Sequence, residues 1–176
     1  MNPLVVKVGG SLYDWPEFAP TLTRWLRDNA RDETLIVPGG GPFAHAVRRL
    51  AEVQKLDEET AHWLAVRSMT IAASFLNAFL KDLPGRIVDV WDFSQSDEAL
   101  PHSWSASSDS IAARLAEKQN AQLTLLKSRD PPPGDYADWA AAGYVDSNFP
   151  RIAARGKLTS RCAIRSSTPT ASSRTS

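Results

Sequence analysis

The segment formed by residues 4–12 constrains the fold of this chain more than any other part of the sequence. It reads Leu-Val-Val-Lys-Val-Gly-Gly-Ser-Leu, an apolar run that contains one lysine and stops at two glycines. Such a run is typical of a central strand in a parallel sheet. Gly9 and Gly10 allow a sharp turn and a close approach of N–H groups to an anion, and Ser11 adds a hydroxyl donor. Because Lys7 is costly to bury unless a negative group meets it, the segment predicts a phosphate site.

A second unit of the same kind follows within the first fifty residues. Residues 35–38 form another apolar run, which ends at Gly39, Gly40 and Gly41 and is followed by Pro42, a residue that the first turn of a helix tolerates. The N-terminal amides of this helix would face the glycine turn. In open α/β sheets such loops gather at the carboxyl edge of the strands, where ligands bind. An ordinary strand-to-loop turn, with the lysine reaching solvent, is the alternative for either unit alone.

Three short blocks of the sequence carry a family resemblance, namely Lys7-Val8-Gly9-Gly10-Ser11, Pro38-Gly39-Gly40-Gly41 and Ser107-Ser108-Asp109-Ser110-Ile111-Ala112. Their order and spacing resemble those of the amino acid kinase superfamily. Over residues 4–155 the chain therefore resembles that superfamily. Residues 56–63 and 143–146 make it most similar to the short, aspartokinase-like kinases, one branch of which phosphorylates an aminomethylfuran phosphate during methanofuran synthesis.

The alternation of apolar runs and amphipathic segments predicts an α/β fold, a three-layer α/β/α sandwich with a mainly parallel central sheet. We expect strands at residues 4–8, 35–38, 86–91, 123–127 and 161–164, helices at 20–29, 42–54, 57–81, 109–119, 135–142 and 149–154, and irregular structure over 94–105. The resemblance implies the same fold. It also implies one domain over residues 1–165, with an acceptor-binding lobe at 1–104 and a short nucleotide-binding lobe at 105–165. The polar residues 166–176 are expected to form a disordered tail.

The resemblance also implies the roles of the site residues. Lys7 and Asp109 are expected to be catalytic, with Lys7 bridging the transferring phosphoryl group and Asp109 orienting Lys7. The nucleotide and its phosphates are expected to contact Gly9, Gly10, Ser11, Ser108 and Lys127, and the acceptor is expected to contact Gly39, Gly40, Gly41, His45 and Trp104. ATP would be the phosphoryl donor, Mg²⁺ would arrive with the nucleotide, and no residue is assigned as a metal ligand.

His45 gives one indication of the acceptor. It lies four residues after Gly41, at the position of a histidine that isopentenyl phosphate kinases use to meet the phosphate of their substrate. A histidine in the first turn of a helix can donate to an anion. The acceptor is therefore expected to carry a phosphate or another anionic group, and an aminomethylfuran phosphate is one candidate.

The chain departs from the superfamily pattern towards its C-terminus. Residues 127–133 lack the usual Thr-Asp-Val-Asp-Gly segment, and no second catalytic lysine follows a Gly-Gly-Met segment, so that Lys127 or Lys157 would have to substitute. Two functions consequently remain open. One is an ATP-dependent small-molecule kinase that acts on a monophosphate or, like aspartate and acetylglutamate kinases, on a carboxylate. The other is a kinase-fold protein that binds a phosphorylated ligand without turnover.

Composition argues against several other functions. With 43% hydrophobic and 23% charged residues, and no apolar run near the ~18 residues of a membrane span, we expect a soluble protein without a membrane partner. The N-terminus lacks a signal-peptide pattern, and the single Cys162 agrees with a cytoplasmic location. Residues 1–150 contain 14 Lys and Arg against 20 Asp and Glu, which argues against bulk nucleic-acid binding.

The long helix expected at residues 57–81 bears on the oligomeric state. Its apolar positions spread around most of its circumference, so it must be covered on nearly all sides. Either a second subunit covers it, giving a homodimer, or the helix is fully buried within one chain. The kinases that the chain resembles often dimerise through the corresponding helix.

Overall fold

The computed structural model describes residues 3–155 and 157–163 and contains one five-stranded parallel sheet with the strand order β3-β2-β1-β4-β5. The strands are β1 (Leu4–Val8), β2 (Leu35–Pro38), β3 (Arg86–Ile87), β4 (Gln122–Lys127) and β5 (Lys157–Ala163). β1 lies at the centre and pairs with β2 and β4, with Val8 opposite both Pro38 and Leu126. The predicted α/β fold with a parallel sheet is confirmed.

Helices cover both faces of the sheet. They are α1 (Phe18–Asn29), α2 (Gly41–Gln54), α3 (Glu58–Leu80), α4 (Trp91–Ser96), α5 (Ser108–Lys118), α6 (Tyr136–Ala141) and α7 (Phe149–Ala153), and a 3₁₀ turn spans Gly10–Leu12. Because side chains alternate along a strand, β1 contributes to two cores. Val5 is buried among residues of α5 and α7, whereas Val6 and Val8 are buried with residues of α1 and of the C-terminal half of α3.

The third strand is shorter than the sequence predicts. It ends at Ile87 instead of residue 91, and α4 begins at Trp91 in a region that was expected to lead into irregular structure. Asp89 explains the change, because its carboxylate accepts hydrogen bonds from the N–H of Trp91 at 3.1 Å and from the hydroxyl of Thr70 at 2.9 Å. β5 begins earlier than predicted, and residue 164 and the tail at 166–176 lie outside the described residues.

By length and composition α3 could cross a membrane, although the sequence contains no uninterrupted apolar run of about 18 residues. It packs against α2, β2 and α4, and its buried side chains include Val66, Met69 and Leu76. Its N-terminus is capped by Asp57, which accepts a 2.8 Å hydrogen bond from the N–H of Thr60.

Full burial of α3 within one chain is not observed. Leu64, Ile71 and Phe75 remain 42%, 55% and 37% exposed. On the neighbouring α2, Leu50 and Val53 are 54% and 65% exposed, so that helix also presents large apolar side chains to solvent.

Candidate active site

The two glycine turns touch each other at the carboxyl edge of the sheet. A Cβ atom on Gly10 would lie 2.2 Å from the backbone nitrogen of Gly41, and one on Gly39 would lie 2.7 Å from the nitrogen of Gly10. Gly41 also has a φ of +52°, a conformation that side chains disfavour. Glycine is therefore required here by close backbone contact, a constraint that the sequence pattern alone does not show.

Two of the glycine amides hold the turns to the sheet. Gly9 donates to the carbonyl of Leu126 and Gly39 to the carbonyl of Val8, both at 2.8 Å. The carbonyl of Gly39 in turn accepts a 2.7 Å hydrogen bond from the hydroxyl of Tyr13. The N–H groups of Gly10, Gly40 and Gly41 have no acceptor among the described residues, so these three remain available to an anion. The N–H of Gly39 is not available, because it holds its turn to β1.

Lys7, Asp109 and Lys127 form a buried ionic cluster, here called the lysine–aspartate cluster. Asp109 lies in the first turn of α5, and its two oxygens are 2.8 Å from the ammonium of Lys7 and 2.7 Å from that of Lys127. Lys127 also donates to the carbonyl of Tyr144. Lys7 and Asp109 are only 4% and 5% exposed. With two cations and one carboxylate, the cluster carries a net positive charge.

Strand periodicity explains why the cluster assembles. Lys7 is two residues after Val5, and Lys127 is two residues after Leu125, so both lysines project towards the α5 side of the sheet. The adjacent parallel strands β1 and β4 thus deliver both ammonium groups to the N-terminus of α5, where Asp109 lies.

The cluster changes the pKa values of its members. Burial acts to raise the pKa of Asp109, but the charges of Lys7 and Lys127 outweigh it, so the pKa lies below the ordinary value. Burial and the neighbouring charge of Lys7 lower the pKa of Lys127 to about 8, although Asp109 opposes the change. Lys127 is therefore partly deprotonated in mildly alkaline solution when no ligand is bound.

The cluster forms the floor of a cleft of about 530 Å³. All but one of the site residues predicted from the sequence line this cleft, namely Lys7, Gly9, Gly10, Ser11, Gly40, Gly41, His45, Trp104, Ser108, Asp109 and Lys127. Gly39 is the exception, for the reason given above. Ser11 reaches across the cleft mouth to Ser128, with 2.9 Å between the two hydroxyl oxygens.

Further residues line the cleft without having been assigned from the sequence, including Arg48, Arg129, Tyr144 and Asp146. The guanidinium of Arg48 lies 4.4 Å from the ring centroid of Trp104, so a cation and an aromatic face stand together on the α2 side. Arg48 is three residues after His45, a spacing that places both on one face of α2 and that could have indicated Arg48.

Asp146 caps α5 from a distant part of the chain. Its carboxylate accepts hydrogen bonds from the N–H groups of Ser107, Ser110 and Phe149 at 2.9–3.0 Å, and from the hydroxyls of Ser107 and Ser110. Ser107 occupies the N-cap position of α5, but its side chain donates to Asp146 instead of capping the helix. Burial raises the pKa of Asp146, and the serine hydrogen bonds oppose that rise.

The cleft suits a polyphosphate better than a metal held by the protein. Within residues 3–155 and 157–163, no group of three His, Cys, Asp or Glu side chains could hold a metal ion. Both carboxylates of the cleft are already engaged, Asp109 by lysines and Asp146 by serines. The donors present therefore match phosphate oxygens, and a Mg²⁺ ion would be carried mainly by the phosphates of its nucleotide.

A smaller side pocket of about 200 Å³ opens beside the cleft and shares residues of its α2 rim, including Gly40, Gly41, His45 and Arg48. His62 of α3 lines this side pocket and is 5% exposed. His62 was not predicted to belong to a site, because a histidine within a long apolar helix carries no local indication of a pocket.

Comparison with known proteins identifies relatives of this chain. No family model matches it. It is 28% identical over 144 residues to the [5-(aminomethyl)furan-3-yl]methyl phosphate kinase of Methanocaldococcus jannaschii, an alignment that covers 69% of this chain but only 63% of that relative. Its fold is similar to that of the uridylate kinase from Archaeoglobus fulgidus, with a TM-score of 0.60 and 18% identity over 90% of this chain and 88% of that one.

These two similarities agree with the three sequence blocks, which the structure brings together in one cleft. The chain is thus similar in sequence to a phosphate kinase and in fold to a uridylate kinase, in agreement with the resemblance that the three blocks indicate.

Proposed function

We propose that this protein is a small-molecule kinase that transfers the γ-phosphoryl group of ATP to a small anionic acceptor, with a monophosphate as the favoured class. The observation that carries the proposal is the lysine–aspartate cluster on the floor of the cleft where two glycine turns meet. Phosphoryl transfer needs in-line placement of donor and acceptor and stabilisation of the charge on the equatorial oxygens, with little covalent work by side chains. Two ammonium groups in a buried, net positive cluster meet that need.

Each member of the cluster has a distinct role in this proposal. Lys7 contacts the transferring phosphoryl group, next to the free N–H groups of Gly10 and Gly41. Lys127 contacts the donor phosphates and takes the place of the missing second lysine, because its ammonium reaches the same carboxylate as that of Lys7. Asp109 is a positioning residue: its oxygens hold both ammonium groups and are not free to act as a base.

The nucleotide side of the cleft comprises Gly9, Ser11, Ser108 and Lys127, with Arg129 as an additional cation. Bound Mg²⁺ would neutralise charge on the donor phosphates. Ser108 is the first residue of α5, so a phosphate beside it would also be stabilised by the N-terminal end of that helix.

The acceptor side comprises Gly40, Gly41, His45 and Trp104, together with Arg48. Neither carboxylate of the cleft is free on this side, while His45 and Arg48 are exposed and able to donate. An anionic acceptor is therefore favoured. The name of the relative from M. jannaschii, which acts on a furan phosphate, supports a monophosphate in particular.

We further infer a cytoplasmic enzyme that acts as a homodimer.

The test combines nucleotide binding with phosphoryl transfer. We expect saturable binding of ATP with Mg²⁺, and ADP formation with the aminomethylfuran phosphate but not with aspartate or acetylglutamate. His45→Ala and Arg48→Ala should weaken use of the monophosphate. Arg49→Ala is the matched control, because Arg49 is an exposed arginine on the same helix and does not line the cleft.

Three other outcomes would contradict the proposal. Turnover of carboxylates without turnover of monophosphates would replace the acceptor class. Binding of a phosphorylated ligand without ADP formation would favour a kinase-fold binding protein, the alternative left open by the sequence. An equal effect of the Arg48 and Arg49 variants would remove the acceptor role of the α2 rim.

A further inference from the structure

The side pocket has the size of one small ring. Its volume of about 200 Å³ compares with the ~150 Å³ cavity that holds a benzene molecule in an engineered protein. Away from the rim shared with the cleft, its wall is apolar apart from His62 and consists of Ala44, Ala65, Val66, Met69, Ala106 and Ile111. A five-membered or six-membered ring fits this space, whereas the base and ribose of a nucleoside monophosphate together exceed it.

His62 contributes the polar group of that apolar wall. Its Nδ1 lies 3.1 Å from the carbonyl oxygen of Ser103, and its ring stacks on that of His102 with 5.8 Å between centroids. Trp63 packs edge-on against the ring of His62. The imidazole is therefore held in a fixed orientation by contacts on more than one side.

The carbonyl of Ser103 fixes the tautomer of His62. A carbonyl oxygen only accepts hydrogen bonds, so Nδ1 must carry the proton. Burial lowers the pKa of His62, which keeps the ring neutral and leaves Nε2 as an acceptor with a lone pair. No described residue is hydrogen-bonded to Nε2. A ligand that occupies the pocket and donates to this acceptor gains a hydrogen bond, whereas a ligand without a donor leaves the acceptor unpaired once it has displaced water.

We propose that His62 selects acceptors that carry a hydrogen-bond donor, an amine or a hydroxyl, on a single small ring bearing a phosphate. The inference rests on the proposed function and names the substrate class of the same site. The phosphate of the acceptor lies at the rim formed by Gly41, His45 and Arg48, the ring fills the side pocket, and the donor meets Nε2 of His62.

The experiment compares three phosphates that differ at one position. They are the aminomethylfuran phosphate, its hydroxymethyl analogue and its methyl analogue, and the measurement is calorimetric binding to the full chain. Wild type should bind the two donor-bearing compounds about tenfold more tightly than the methyl compound, the scale expected when a bound ligand shields an acceptor from water without donating to it. The order of the amine and the hydroxyl identifies which donor is preferred. Equal affinity for all three, or no binding of any of them, would overturn the proposal.

Two variants separate the recognition role of His62 from a structural one. The amide of Asn can still donate to the carbonyl of Ser103 but has no atom at the position of Nε2, so His62→Asn should lose the preference for donor-bearing compounds. The longer side chain of Gln reaches the Nε2 position, so His62→Gln should keep part of it. The measured quantity is the ratio of the affinities for the donor-bearing and the methyl compounds. A general loosening of the pocket would weaken binding of all three compounds and leave this ratio unchanged. An unchanged ratio in His62→Asn would overturn the proposal.

Turnover, measured separately, distinguishes this inference from the proposed function. If the donor-bearing phosphates bind with the expected preference but no ADP forms, the kinase proposal fails and the role of His62 stands. If another class of acceptor is phosphorylated while the furan phosphates do not bind, the kinase activity stands and the role of His62 fails. ATP affinity should be the same in wild type and both variants, because His62 does not line the main cleft.

Discussion

Asp109 connects the two lysines on which the proposed chemistry depends. A buried carboxylate that pairs with two ammonium groups remains ionised and holds each of them within 2.8 Å. The arrangement places cationic charge at the carboxyl ends of β1 and β4 before any ligand arrives. Preorganised charge of this kind needs little reorganisation during reaction, which is why single groups in such sites have large effects.

Lys7 is the first residue to test in that cluster. Lys7→Ala should lower kcat/KM by about 100-fold or more, the scale observed when one preorganised donor is removed. The fold should persist, because Asp109 keeps its contact with Lys127. Phosphoryl-transfer kinetics and thermal unfolding provide the measurements, and Lys81→Ala is the control because Lys81 is exposed at the end of α3. Activity near that of wild type in a folded Lys7→Ala variant would reject the assigned role.

Lys127 should make the reaction sensitive to pH. Its ammonium contacts phosphate only when protonated, and its pKa in the free protein is lowered to about 8, so kcat/KM should fall as the pH rises through that value. Bound phosphates favour the charged form, so the decline in kcat should move to higher pH.

Lys127→Arg provides the matched control for the pH prediction, since a guanidinium stays charged over the whole range. In this variant the alkaline decline of kcat/KM should disappear, even if the absolute rate is lower. A wild-type profile that stays flat well above pH 8, or an identical decline in Lys127→Arg, would show that another group titrates.

At the scale of elements, the position of α5 depends on Asp146, which lies 39 residues after Ser107 in the sequence. Asp146→Ala leaves several buried N–H and hydroxyl groups without an acceptor, and we expect a loss of about 2–4 kcal/mol in the free energy of unfolding. Denaturant unfolding measures this loss. Asp57→Ala removes the exposed cap of α3 and should cost clearly less. Equal losses would mean that Asp146 is no more than an ordinary cap.

The contact between the glycine turns gives a second test at this scale. A Cβ on Gly10 would overlap the backbone of Gly41, and neither turn can move without breaking its bond to the sheet. Gly10→Ala should therefore be strongly destabilised or fail to fold. Gly143→Ala is the control: Gly143 has a φ of +63° with open space around it, so only the backbone strain of about 1 kcal/mol applies. Similar unfolding free energies for the two variants would contradict the predicted clash.

The glycine turns and α5, together with β3, show which features the sequence could and could not predict. The strand–glycine–helix units were predictable because an apolar run, its glycines and the following helix are neighbours in the chain. The early end of β3 and the cap of α5 were not, because each depends on a polar side chain, Asp89 or Asp146, whose partners include residues distant in sequence. His62 escaped prediction for the same reason, since Ser103, 41 residues away, fixes its tautomer.

At the scale of the whole molecule, the main feature that packing within a single chain does not explain is the exposed apolar face of α3. Leu64, Ile71 and Phe75 follow at spacings of seven and four residues, so they share one face of the helix. Leu50 and Val53 of the adjacent α2 are exposed as well. Single exposed apolar residues are normal, but several large ones on two packed helices are typical of an interface.

We therefore expect a homodimer in solution that buries the exposed face of α3. Ile71→Glu places a charge at the most exposed of its three large apolar side chains, and it should convert the dimer to a monomer in light-scattering and sedimentation measurements, because an unpaired charge is costly to bury at an interface. The monomer should keep its secondary structure, since Ile71 is 55% exposed and contributes little to the core. Ala141→Glu adds the same charge at an exposed position on α6 and should leave the dimer intact. A monomeric wild type at micromolar concentration, or a dimer that survives Ile71→Glu, would show that this face has another use.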